Sequence, residues 1–264
     1  MSIAFLFPGL GAQRAGMLHR LPDTAAAATV LAEAEWAHPG GVAELDTAAA
    51  LEESEVARHV ALLTAGVAGA RALTEDEGVI PDVVVGYGLG GFAAAVTAGL
   101  LTLEEALRAV RVRAELLERA EESVHDIGIR MAQHLATVRR RTHSVAYVTT
   151  TGGQVLRGDA NGVFDDLARC VALPPAGERI AAALAADVPS VVVELPPGRE
   201  LGVRLGLAEA DEEPPGEDAG APDGLRVIAV EEAGIAEAAR AARVHRDPAA
   251  GAGIWEDAEA PADW

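Results

Sequence analysis

The stretch "VVVGYGLGGFAAAVTAG", Val83 to Gly99, constrains this chain more than any other. Three β-branched residues run into Gly86, Gly88, Gly90 and Gly91, and an alanine-rich segment follows. The valines predict a strand buried on both faces, the glycines a sharp turn, the alanines a helix. In a strand–turn–helix unit of this kind, the pattern Gly-x-Ser-x-Gly puts a serine nucleophile at the middle of the turn. Here that residue is Gly88. Gly86, Gly88 and Gly91 also fit the G-x-G-x-x-G spacing of a dinucleotide site, but no acid is evident at the end of a following strand.

The same alternation continues along the chain. "IAFLFPG" reads as a first strand, and "SVAYVTTTGG" and "PSVVVELPPG" as later ones. Helical composition spans residues 23–36, 53–75 and 91–99. A longer helix starts at Thr102, where Glu105 three residues on completes a capping box. Leu103, Leu107, Val110, Leu116 and Leu117 then recur at helical spacing. "VFDDLARCV" predicts a short helix, and "RVIAVEEAGIAEAARAAR" a last strand and helix. Arg139, Arg140 and Arg141 are expected at a helix C-terminus, where cations complement the dipole. Apolar strands alternating with helices predict an α/β fold with a mainly parallel sheet. Its functional crevice should lie in the turns after Phe7, Val85 and Leu195, at the carboxyl ends of the strands.

Charge narrows the partners. The formal net charge is −20, with seven acids and no base between Glu209 and Asp223. Such a chain is a poor ligand for nucleic acid or an anionic membrane. A single cysteine, Cys170, excludes an internal disulfide framework. No targeting segment or membrane span is legible, so a cytoplasmic location is expected. No metal or cofactor is expected either. The expected organisation is one domain over residues 1–243 with an acidic loop at 209–224, then an acidic tail, 244–264, carrying Trp255 and Trp264.

Several motifs, in order, resemble one family. "FLFPGLGAQRAGML", "VALLTAGVA", "GYGLGGFAAAVTAGLLTLEEALRAVRVRAELLERA", "VVVELPPGREL" and "VEEAGIAEAARAA" are similar to the corresponding segments of malonyl-CoA:acyl-carrier-protein transacylase and of polyketide synthase acyltransferase domains. The resemblance spans most of residues 3–243. It implies an α/β-hydrolase-like acyltransferase core, and acyl transfer by serine, histidine base, oxyanion donors and a carboxylate-binding arginine. Carried over, the serine position is Gly88 and the histidine before it Tyr87. The oxyanion glutamine of the opening motif is Leu10, with Leu89 following Gly88 at the turn. Two further family glutamines fall at His59 and Cys170. The carboxylate-binding arginine matches Arg113, and His125 is the candidate base. The small ferredoxin-like subdomain that the family carries between arginine and histidine is missing, which should leave the crevice open to water.

Alternatives stay open at this level. Arg113 either binds a carboxylate or is a solvated residue on a charged helix. Cys170 is a small buried residue or a replacement thiol, and Ser123 is a conceivable partner for His125. The resemblance implies one of three functions. The first is a non-acylating accessory protein of polyketide or fatty-acid-type biosynthesis, holding an acyl or coenzyme A thioester or an acyl carrier protein. The second is an enzyme of altered chemistry, hydrolase or decarboxylase, using His125 and Arg113. The third is a structural subunit pairing with a synthase component.

Overall fold

The computed structural model describes residues 2–119, 123–187, 189–207 and 225–246. The expected acidic loop 209–224 lies outside the described residues, as does the tail from residue 247 onward with Trp255 and Trp264.

Strand β1 (Ser2–Phe7) is followed by α1 (Ala25–Ala37), α2 (Ala48–Glu53) and α3 (Glu55–Arg71), the last closing in a π turn over Ala72–Asp76. Strand β2 (Val83–Gly86) then leads to α4 (Gly90–Thr97), α5 (Leu103–Glu118) and α6 (Val124–Ala136). A hairpin of β3 (Ala146–Val148) and β4 (Val155–Leu156) precedes α7 (Ala160–Arg169) and α8 (Gly177–Asp187). The chain closes with β5 (Pro189–Glu194), α9 (Leu201–Arg204), β6 (Arg226–Ala229), α10 (Val230–Ala233) and α11 (Ile235–Arg246). Helix α11 thus runs three residues past the domain boundary expected at 243.

The strands form one six-stranded sheet in the order β4-β3-β2-β1-β5-β6. All neighbours are parallel except β3 and β4. The expected α/β fold with a mainly parallel sheet is therefore present. Alternation along β1 explains the layering. Ile3, Phe5 and Phe7 join the larger core, shared with α3, α4 and α5. Ala4 and Leu6 face the other way, onto Ile180 and Leu184 of α8 and Leu201 of α9. Helix α3 is buried nearly all round because it packs on α1, α4 and α5 at once. No helix among the described residues is long and apolar enough to cross a membrane.

Capping chemistry sets the helix starts. Thr102 and Glu105 form the expected reciprocal box at α5. Ser123 caps α6: its hydroxyl accepts from Asp126 N and donates to the Asp126 carboxylate at 2.7 Å. That removes Ser123 as a partner for His125. Arg140 Nη1 donates to the carbonyls of Leu135 and Val138 at the end of α6, as its sequence position predicted. Only residues 119–123 join α5 to α6, so no subdomain is inserted there.

The turn after β2 is held by close backbone contact. Tyr87 N donates to Phe7 O at 2.9 Å, and a Cβ on Gly90 would stand 2.4 Å from that same carbonyl oxygen. Helix α4 therefore starts directly against the end of β1, and only glycine fits. Gly90→Ala is expected to lower unfolding free energy by about 2–3 kcal/mol, read from urea denaturation followed by far-ultraviolet circular dichroism.

Candidate functional site

The turns after β1, β2 and β5 meet at the carboxyl edge of the sheet, as the strand pattern predicted, and the turn after β3, which was not predicted there, joins them. Leu195 N donates to Leu6 O at 2.9 Å, bringing the β5 turn beside β1. At the tip of the β2–α4 turn Gly88 has φ +58°, the left-handed conformation that side chains occupy only under strain. A Cβ there would meet Pro175 Cγ at 3.4 Å, an ordinary contact, so the position has room for a small side chain. Gly88 N donates to Thr150 Oγ1 at 2.6 Å. No hydrogen-bond partner among the described residues takes the N–H of Leu89, which precedes α4, or of Leu10. Leu10 is exposed and Leu89 is buried. Tyr87 is half-buried, with the Arg204 guanidinium 5.8 Å from its ring centre. Ala176 N donates to Thr150 O at 2.8 Å, which holds the segment before α8 beside the turn.

Thr150 is itself positioned from below. The buried carboxylate of Asp166, on α7, accepts from Thr150 N at 2.8 Å and from Thr151 N at 2.9 Å. It also accepts from Thr151 Oγ1 at 2.6 Å and from the Tyr147 hydroxyl at 3.1 Å. Burial and this carboxylate push the Tyr147 hydroxyl well above its usual pKa, so it stays a donor. Sequence reasoning passed over Asp166 and Thr150. The available signal was an acid inside the buried stripe Val163, Phe164, Leu167 of α7, because a buried acid needs donors.

Arg113, on α5, is 6% exposed, which overturns the reading of it as a solvated residue. Its Nη1 donates to Nε2 of His59, on α3, while its buried Nε has no hydrogen-bond partner. Among the described residues no carboxylate forms an ion pair with it. His59 Nδ1 lies 2.7 Å from Glu55 O. A carbonyl only accepts and a guanidinium only donates, so Nδ1 carries the proton, Nε2 accepts, and the ring is neutral. Burial, reinforced by the Arg113 charge, lowers the His59 pKa to about 3. Cys170, at the end of α7, is buried with its thiol on Leu167 O at 3.2 Å. Burial pushes that thiol up to about 11, even though the nearby Arg113 charge acts to lower it, so Cys170 is no replacement nucleophile.

His125 stands exposed in the first turn of α6 and makes no side-chain hydrogen bond among the described residues. The structure thus joins Gly88 to Thr150 and Asp166, and Arg113 to His59 and Cys170. His125 belongs to neither group.

Residues 4–123, which contain most of β1, the β2–α4 turn and Arg113, match the acyl transferase domain family. Over those residues, just under half of its length, the chain is similar to an acyl transferase domain. Polyketide synthase GfsB of Streptomyces halstedii is 30% identical over 181 residues, which cover 62% of this chain and 3% of the relative. The pikromycin polyketide synthase component PikAII of Streptomyces venezuelae is 35% identical over 122 residues, 43% of this chain and 3% of the relative. The chain thus spans only a few per cent of the length of these curated relatives. Among solved structures, the acyl-carrier-protein S-malonyltransferase of Burkholderia pseudomallei 1710b superposes with a TM-score of 0.75 at 20% identity, covering 91% of this chain and 100% of that one. A malonyl-transacylase solved in complex with a type II polyketide synthase acyl-carrier protein gives 0.76 at 18% identity, covering 91% and 99%. These likenesses establish the acyltransferase fold.

The neutral His59 gives a signed pH dependence. Its pKa is about 3 folded, against 6.5 for a free histidine, so between these values the unfolded chain binds a proton that the folded chain does not. The contribution is complete above pH 6.5 and is lost as pH falls toward 3. His59→Gln should flatten that part of the urea-midpoint profile between pH 6.5 and 4 relative to the wild type.

Proposed function

We propose that this acyltransferase-like chain is a non-acylating binding protein of polyketide or fatty-acid-type biosynthesis, and that it holds a carboxylated acyl thioester of coenzyme A or of an acyl carrier protein. The observation that carries this reading is the glycine at the tip of an otherwise complete strand–turn–helix unit. Gly88 has the left-handed backbone of a nucleophile turn and no atom to attack with. The neighbouring threonine hydroxyls and the thiol are engaged. Thr150 Oγ1 accepts from Gly88 N, and Thr151 Oγ1 donates to an Asp166 carboxylate that already holds three other donors. The Cys170 thiol is buried and protonated.

Binding needs less than catalysis. The N–H groups of Leu89 and Leu10 are donors for a thioester oxygen, and no covalent step follows. Arg113 supplies the cation for the acyl carboxylate, with its Nε free to donate. Residues 1–243 would form one acyltransferase-like unit, working beside a carrier protein or synthase subunit. Hydrolysis or decarboxylation in the same crevice would need His125 as base, and His125 stands exposed with no partner to orient it.

A second reading has its own observation. Val124 and Ile129 on α6 and Leu173 just past α7 are exposed at 52%, 46% and 46%, and the two helices pack together. Such exposed apolar residues suit pairing with a synthase subunit. Co-purification of that subunit, lost in Val124→Asp/Ile129→Asp, would favour this reading.

The first reading is tested by incubating the full chain with malonyl-CoA. The intact mass is expected to stay unchanged while calorimetry detects binding, and Arg113→Ala should weaken that binding about tenfold or more. A stable malonyl adduct on the wild-type chain would overturn the proposal.

A further inference from the structure

We propose that His59 is a positioning residue that fixes the Arg113 guanidinium without neutralising it, so that the crevice prefers acyl thioesters bearing a free carboxylate over those that lack one. The inference rests on the carboxylate-binding role given to Arg113 above. It concerns what surrounds that cation.

A buried guanidinium is ordinarily satisfied by a carboxylate, which fastens it and cancels its charge. Arg113 is fastened differently. Helix α3 presents His59 with Nδ1–H committed to Glu55 O at 2.7 Å, so only the bare Nε2 faces Arg113 Nη1. The ring accepts a hydrogen bond and contributes no negative charge. The Cys170 thiol, the other titratable group facing Arg113 from α7, is protonated and equally neutral at physiological pH. The Glu55 carboxylate, at the outer end of α3, is paired to Arg58 at 2.6 Å; it also lies 3.4 Å from His59 Nδ1 and its charge acts on Arg113, but it forms no ion pair with that guanidinium. Helix α3 is in turn held against α5 at that end, because the Glu118 carboxylate accepts from Ser54 Oγ and Glu55 N at 3.2 and 2.8 Å. The registration of His59 against Arg113 is thus built into the packing of two helices.

The consequence is a cation with an unmet demand. Arg113 is 6% exposed, its Nε is buried without a hydrogen-bond partner, and no ion pair balances it among the described residues. A ligand carboxylate would supply both the missing acceptor and the missing charge. An acid at position 59 would supply them first and remove the preference.

Replacing the imidazole separates these effects. His59→Gln keeps a neutral acceptor, His59→Glu keeps an acceptor and adds charge, and His59→Leu removes the acceptor. Dissociation constants for malonyl-CoA and acetyl-CoA are measured by calorimetry on the full chain, with thermal unfolding as a check on folding. The wild type should prefer malonyl-CoA by about tenfold or more, and His59→Gln should keep that ratio within about threefold. His59→Glu should bring the ratio to near one, chiefly by weakening malonyl-CoA. His59→Leu should lower the ratio by at least about threefold, and it serves if the glutamate variant does not fold. A wild type with no preference overturns the carboxylate-binding reading itself. A wild-type preference that survives in both His59→Glu and His59→Leu, or in His59→Leu when only that variant folds, overturns the role of His59 and leaves that reading standing.

Discussion

The carboxyl edge of this sheet is organised around one buried carboxylate. Asp166 takes four donors, one from Tyr147 on β3 and three from the two threonines after that strand, and Thr150 in turn accepts from the β2–α4 turn. An acid in an apolar helix stripe is tolerated only when donors replace the water it has lost. Here that requirement acts as a constraint on the loops, because moving Thr150 or Thr151 would strand the charge. The backbone that the turn presents to a ligand is therefore set by α7, an element that itself holds no residue facing that ligand in the proposed binding mode.

The two halves of the site were not equally legible in the sequence. The strand–turn–helix unit could be read directly, since β-branched runs, glycines and alanines each carry a local backbone preference. The capping box at Thr102 and the role of Arg140 were equally local. The hairpin strand β4 was not legible: two residues of "TTTGGQVL" carry no periodicity, and the pairing with β3 is a tertiary contact. Helices α2 and α8 were missed as well, α2 because six residues offer too short a pattern.

Side-chain pairings across elements were the least accessible. Arg113 sits on a helix with alternating charges, and nothing in its neighbours in sequence distinguishes it from Arg108 or Arg111. Only the packing of α3 on α5 shows that residue 113 points inward while residue 108 meets solvent. The resemblance to acyltransferases supplied the position of Arg113 but not its environment. The neutral histidine beside it follows from the hydrogen-bond geometry alone.

The φ of +58° at Gly88 has a consequence for the energetics of the whole turn. A side chain at that tip would be held in the left-handed region at a cost of about 1–2 kcal/mol, a strain that reactive turns carry as part of their function. Glycine carries none of it. The tip of this turn is therefore relaxed, and the backbone there holds its shape without any side chain paying for it.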